Sequence, residues 1–232
     1  MDNRPCIVIT GAAQRIGLHC ARRLAEDGYR VIITCRRWRD EWDSSPLPGI
    51  EVILADFATE EGIASFIADL RARTPRLRAF VHNASLWLDD AAPGALDLMM
   101  RVHVQAPYLI NQALSEFFDP DGAADIIHLT DRVASAGSAK HIAYCASKAG
   151  LEALTLSFAA RLAPKIKVNS IAPALIMFNE WDSQAYRQRT LEKSALGIEP
   201  GPEVVYQSIR YLMDNPYVTG TSLQLDGGRH LK

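Results

Sequence analysis

Short apolar runs rich in β-branched residues alternate with longer amphipathic stretches along the whole chain. Cys6-Ile7-Val8-Ile9, Val31-Ile32-Ile33-Thr34, Val52-Ile53-Leu54-Ala55, Ala79-Phe80-Val81-His82, Ile126 to Leu129, Lys167 to Ile171 and Leu223-Gln224-Leu225 read as seven strands. After the first run, Ile16, Cys20, Leu24 and Ala25 recur at helical spacing, with Arg22, Arg23, Glu26 and Asp27 on the other face. Further helices are expected from about Glu60 to Arg73, Leu96 to Phe118, Tyr144 to Leu162 and Gln184 to Lys193. Neither a linker nor an internal repeat interrupts the alternation, so residues 1–232 are read as one domain. Strands separated by helices predict an α/β fold: a mainly parallel, doubly wound sheet with helices on both faces. Such sheets bind ligands outside the carboxyl ends of their strands.

Composition narrows the partners. The chain has 232 residues, 48% of them hydrophobic, enough for a large core, and a net charge of −2 without a basic stripe. Nucleic-acid binding is therefore not expected. The apolar runs are strand-length and no signal segment precedes the first, so neither a membrane span nor export is expected. Cys6, Cys20, Cys35 and Cys145 form no Cys-x-x-Cys pair, which argues against a metal site or disulfide framework and for small buried side chains in a reducing cytoplasm.

Candidate chemistry gathers at the expected strand ends: Gly11, Arg36, Asp56, Asn83, Asp131 and Pro173. Thr10-Gly11-Ala12-Ala13-Gln14-Arg15-Ile16-Gly17 is a strand–turn–helix in which Gly11 permits a tight turn whose N–H groups can approach a pyrophosphate. Gly17 permits close packing of helix on strand, and Arg15 stands where a middle glycine is common. The second strand ends in Cys35-Arg36-Arg37, not in an acidic residue. Cations there suit a ribose 2′-phosphate, so with Arg15 they argue for NADPH over NADH.

Tyr144 and Lys148 lie four apart, on one face of an expected helix. An ammonium beside a phenol stabilises the phenolate, so Lys148 is expected to lower the Tyr144 pKa and make it a proton donor or acceptor near neutrality. Asp131 follows the fifth strand directly and is either a site carboxyl or a turn cap. His141 is read as a loop hydrogen-bonding residue, Cys145 as a packing residue, and the adjacent Asp89 and Asp90 receive no chemistry.

Thr10-Gly11 to Gly17, Asp56, Asn83-Ala84, Tyr144-x-x-x-Lys148, Asn169-x-Ile171-x-Pro173 and Gly220 to Gly228 together resemble the short-chain dehydrogenases/reductases over nearly the whole chain. Arg15, Asp131 and Asn83-Ala84-Ser85-Leu86-Trp87 depart from the common pattern and resemble the pteridine reductases within that family. The resemblance implies a Rossmann-type fold and cofactor contacts from Gly11, Arg15, Ile16, Gly17, Arg36, Arg37, Asp56, Phe57, Asn83, Ala84, Ser85, Tyr144, Lys148, Pro173, Leu175 and Ile176. It implies substrate contacts from Ser85, Trp87, Asp131, Tyr144, Glu180 and Trp181, with Trp87 stacking on a pterin. Tyr144, Lys148 and Asp131 are the implied catalytic group, with no metal. The expected reaction is NADPH-dependent reduction of a dihydropterin, 7,8-dihydromonapterin first and dihydrofolate as a poorer substrate. A water, Asp131 or Tyr144 delivers the proton. The rivals are a carbonyl or alcohol oxidoreductase of the same fold and a silent NADP(H)-binding protein. The family's helix asparagine, which supports a relay water, is His103 here. By analogy with the family, a homotetramer pairing its two long helices is expected.

Overall fold

The computed structural model describes residues 4–73, 76–114, 117–118 and 122–232. Strands β1 (Cys6–Ile9), β2 (Arg30–Cys35), β3 (Ile50–Leu54), β4 (Leu77–His82), β5 (Asp125–Leu129), β6 (Lys167–Pro173) and β7 (Ser222–Leu225) form one sheet in the order β3-β2-β1-β4-β5-β6-β7. Every neighbouring pair is parallel. All seven expected strands are present, with boundaries shifted by a residue or two. The order reverses between β1 and β4, which opens a crevice at their carboxyl ends, where Thr10 N–H donates to Val81 C=O at 3.0 Å.

Helices cover both faces of the sheet. One layer of core is built by Phe66, Phe80, Ile110, Ile126 and Phe158, the other by Ile7, Leu24, Ile33, Ile127 and Ile209. The helices are α1 (Arg15–Glu26), α2 (Glu41–Ser44), α3 (Glu60–Arg73), α4 (Ala95–Met100), α5 (Ala106–Leu114), α6 (Val133–Ala136), α7 (Ile142–Leu162), α8 (Gln184–Leu191) and α9 (Glu203–Asp214). The last buries Val205, Ile209 and Leu212 against the second layer, although no pattern read above singled it out.

The long helix expected from Leu96 to Phe118 is interrupted. A π-helical turn, Arg101–Gln105, joins α4 to α5, and α5 ends at Leu114. Residues 115–116 of that expectation lie outside the described residues, and Phe118 bridges to Leu77 beside the sheet. The wide turn matters because it carries His103 into the interior. Beneath the crevice, His82 of β4 and His128 of β5 are fully enclosed. Asn111 of α5 holds both, at 2.8 and 3.2 Å, and His128 also meets Thr155 of α7 at 2.7 Å. Burial holds His82 neutral, its pKa lowered to about 4, so this layer is hydrogen-bonded but uncharged near neutrality.

Candidate active site

Two cavities flank the switch point. The first, about 620 Å³, lies over β1, β2 and β3 and is lined by Gly11, Arg36, Arg37, Asp56, Phe57, Ala84 and Ser85. Gly11 has a φ of +61°, and a Cβ on it would sit 2.6 Å from Ala84 Cα, so the turn needs glycine both for its conformation and for space. At Gly17 a Cβ would lie 2.6 Å from Asn83 Nδ2. That asparagine donates in turn to the carbonyls of Thr10 and Gly11, both at 2.9 Å, which fixes the turn against β4. No side chain caps α1, and its first turn holds no acidic residue. An open helix N-terminus facing exposed Arg36 and Arg37 fits a phosphorylated ligand.

The second cavity, about 480 Å³, is lined by Arg15, Ile16, Asn83, Ser85, Trp87, Asp131, Tyr144, Lys148, Pro173, Leu175 and Ile176. Ser85 borders both cavities. Tyr144 and Lys148 share the inner face of α7, as their spacing predicts, and Asp131 enters from the end of β5. Tyr144 O–H donates to Asp131 Oδ2 at 3.1 Å, while Asp131 Oδ1 accepts from Val133 N–H at 2.9 Å. Asp131 is thus a turn cap and a site carboxyl at once. Lys148 is 2% exposed and donates from Nζ to the Leu129 carbonyl at 2.9 Å.

The titration of this group differs from expectation in one respect. Burial, then the charge and the hydrogen bond of Asp131, raise the Tyr144 pKa well above the ordinary phenol value. The expected depression by Lys148 is corrected: the ammonium sits 5.7 Å from the ring centroid and donates to a backbone oxygen, whereas Asp131 holds the phenolic proton. Burial also raises the Asp131 pKa, opposed by the Val133 N–H, Lys148 and Tyr144, and lowers that of Lys148 to about 8. The site therefore stores its proton on a neutral tyrosine bonded to a carboxylate that is itself inclined to protonate.

Arg15 takes the left-handed conformation, φ +52°, at the position where glycine is common. Its side chain turns away from Arg36 and Arg37 and donates to Asn179 Oδ1 and, at 3.2 Å, to Met177 C=O. That contact ties the glycine turn to the segment between β6 and α8. Glu180 and Trp181, expected against the substrate, line neither cavity, and Trp181 is 81% exposed; Tyr186 and Thr190 of α8 line the second cavity instead. Sequence reasoning missed Arg229. It follows Gly227-Gly228 and is held in the second cavity by a turn in which Asp226 accepts from the N–H groups of Gly228 and His230. Its signal was available in the motif already quoted, Asp226-Gly227-Gly228. Among the described residues, no group of three or more His, Cys, Asp or Glu side chains could hold a metal, and no helix is long and apolar enough to cross a membrane.

A sequence profile described as enoyl-(acyl carrier protein) reductase matches residues 11–230. A dihydromonapterin reductase of Klebsiella pneumoniae is 46% identical over 97% of both chains, and one of Escherichia coli matches equally. Among solved structures, FolM alternative dihydrofolate reductase 1 from Brucella canis, complexed with NADP, superposes with a TM-score of 0.88 at 27% identity, covering 98% of this chain and 94% of its own.

Proposed function

Because the chain belongs to the short-chain dehydrogenase/reductase family, we propose that it is an oxidoreductase that uses NADPH to reduce a dihydropterin, 7,8-dihydromonapterin in the first instance and dihydrofolate less well. The observation that carries this reading is the Tyr144–Asp131 hydrogen bond in a cavity that Trp87 also lines. A serine in place of Asp131 can polarise a ketone, whereas a carboxyl can also accept from a pterin's amino group or pass on a proton. An indole suits one face of a flat, electron-poor bicycle. The relatives' names support the same substrate class.

The cofactor supplies hydride to C6 of the pterin. The protein's own groups do the rest. Gly11 and the open start of α1 receive the pyrophosphate, and Arg36 and Arg37 receive the 2′-phosphate. Lys148 holds the nicotinamide ribose from within the Tyr144 cavity. The proton for N5 comes from the Tyr144–Asp131 pair, directly or through a water. The raised Asp131 pKa suits it to regain that proton from solvent. The assembly is a homotetramer in the cytoplasm, consistent with exposed Tyr108 and Leu109 on α5 and with Leu156, 60% exposed, on α7.

One assay tests the reading: NADPH consumption with 7,8-dihydromonapterin, dihydrofolate and a panel of small ketones. Turnover of the two dihydropterins, the first faster, is expected. Ketone reduction without pterin reduction would transfer the chain to the carbonyl reductases, and cofactor binding without any turnover would make it a silent binder.

A further inference from the structure

Three residues outside the reacting group converge on the loop that carries Trp87. The loop leaves β4 at Asn83 and Ala84, whose N–H groups both donate to Thr10 Oγ1 at 3.0 Å. At its next step, His103 Nε2 accepts from Leu86 N–H at 3.0 Å and lies 3.0 Å from Ser85 Oγ. Since Nε2 accepts a backbone N–H, the ring proton is on Nδ1, which donates to Ser147 Oγ at 2.8 Å; Ser147 then donates to the Tyr144 carbonyl at 2.8 Å. Every proton in the chain has one consistent place. His103 is 1% exposed, and burial, with the charge of Lys148, holds it neutral, its pKa lowered to about 2.

At the far end of the loop, the Asp90 carboxylate reaches α7. Oδ2 accepts from Ile142 N–H at 2.7 Å and Oδ1 from Ala143 N–H at 3.0 Å. These are first-turn amides that the formal cap, His141, does not satisfy with its own side chain. Asp90, 52 residues earlier, caps the helix instead. The expectation that Asp89 and Asp90 do nothing is corrected for Asp90; Asp89 accepts only from Ala91 N–H in its own turn. Between the two fastenings stands Trp87, with His141 edge-on to its ring at 5.4 Å.

We propose that Asp90 and His103 are positioning residues that fasten the Ser85–Asp90 loop to the helix bearing Tyr144 and Lys148, so that Trp87 is a preformed platform for the flat ring of the substrate. His103 then has a role in place of the family's relay asparagine: a fixed, neutral bridge between the platform and the catalytic helix. The proposal rests on the reading of Trp87 as the substrate's stacking partner. Its physical sense is preorganisation, since an aromatic held in place before binding loses little freedom when the substrate arrives.

The test is a double-mutant cycle on Asp90 and Trp87, read as KM and kcat for dihydromonapterin, with NADPH affinity as a control. Asp90→Ala removes a helix cap, and the KM is expected to rise about fivefold with kcat nearly unchanged. In a Trp87→Ala background the same substitution should add almost nothing, because the platform is already gone. Asp90→Ser, which restores a capping oxygen, should recover most of the loss. His103→Leu should raise KM as Asp90→Ala does, and His103→Gln, which keeps an acceptor towards Leu86, should do so less. Hydrogen exchange at the Ile142 and Ala143 amides reads the fastening without activity: both should exchange faster in Asp90→Ala. An equal KM rise with and without Trp87, or no rise at all, would overturn the proposal. If the wild-type protein reduces no dihydropterin, the substrate reading fails, and the exchange result still decides whether Asp90 fastens the loop.

Discussion

The two cavities beside the switch point are built on opposite principles. Around the larger one the charged groups, Arg36, Arg37 and Asp56, are exposed, and the close work is left to backbone and to glycine. Around the smaller one the ionisable side chains Asp131, Tyr144 and Lys148 are drawn out of water and bonded to partners. Exposed charge attracts a ligand and is screened by salt, while buried charge changes what a group will do with a proton. The difference teaches that binding and chemistry occupy separate halves of one crevice, so they should fail separately.

The largest effect is expected in the buried half. Tyr144→Phe should retain NADPH binding and lose about 10²–10⁴-fold in dihydropterin turnover, and Lys148→Ala should lose more because it also removes the ribose contact. Fluorescence titration of NADPH alongside turnover checks both; a Tyr144→Phe enzyme of nearly full activity would show that water delivers the proton. Asp131→Ser should cut dihydropterin reduction sharply and leave NADPH affinity in place. It should also move the alkaline limb of the pH profile to lower pH, since the Asp131 charge and hydrogen bond help hold the Tyr144 pKa up.

Acid should separate the halves through stability. His82 and His103 are buried neutral, with pKa values lowered to about 4 and about 2 from 6.5, and His128 is lowered likewise. A depressed folded pKa means that the unfolded chain binds more protons below pH 6.5, so the stability these groups contribute is present above that value and is lost as pH falls. Each adds up to about 1.4 kcal/mol per pH unit to the slope. Urea midpoints measured from pH 7 to pH 5 should fall, and His82→Gln should flatten the decline; a flat wild-type curve would refute the assignment of neutral, buried imidazoles.

In the exposed half the effects are smaller and depend on salt. Arg36→Ala should weaken NADPH about tenfold while sparing NADH, and the gap should shrink in high salt. Arg15→Ala should change the NADPH/NADH ratio less, because its guanidinium engages Asn179 and Met177 in the other cavity. Equal changes in the two variants would erase the distinction between the halves. Smallest of all, Trp87→Ala should raise the pterin KM by a factor corresponding to about 1 kcal/mol, with no effect on NADPH affinity.

Much of this was legible before any coordinates. β-branched runs announced the seven strands, and the four-residue spacing placed Tyr144 and Lys148 together, because both signals are local. What escaped was non-local or a matter of balance. Asp90 caps a helix 52 residues away, and Arg229 reaches the cavity only because the chain folds back over it. The direction of the Tyr144 pKa needed knowledge of which neighbour lies nearer, since spacing shows that Lys148 is close but not that its ammonium is committed to Leu129. Glu180 and Trp181 were assigned by likeness, and local fastening of their segment through Asn179, Asp182 and Arg187 turns them outward.

The π-helical turn at Arg101–Gln105 has a consequence for how this gene can tolerate insertion and deletion. Each residue in a helix advances its face by about 100°, so the wide turn sets the angular phase between the stretches on either side. Deleting one residue there would not simply shorten the helix. It would rotate Ala106–Leu114 by about a quarter turn, swing Asn111 away from His82 and His128, and bring a neighbouring position inward in its place. A single-codon deletion in this segment is therefore a rotation of everything that follows in the helix, and it should be far less tolerated than the same deletion in the exposed stretch between α2 and β3.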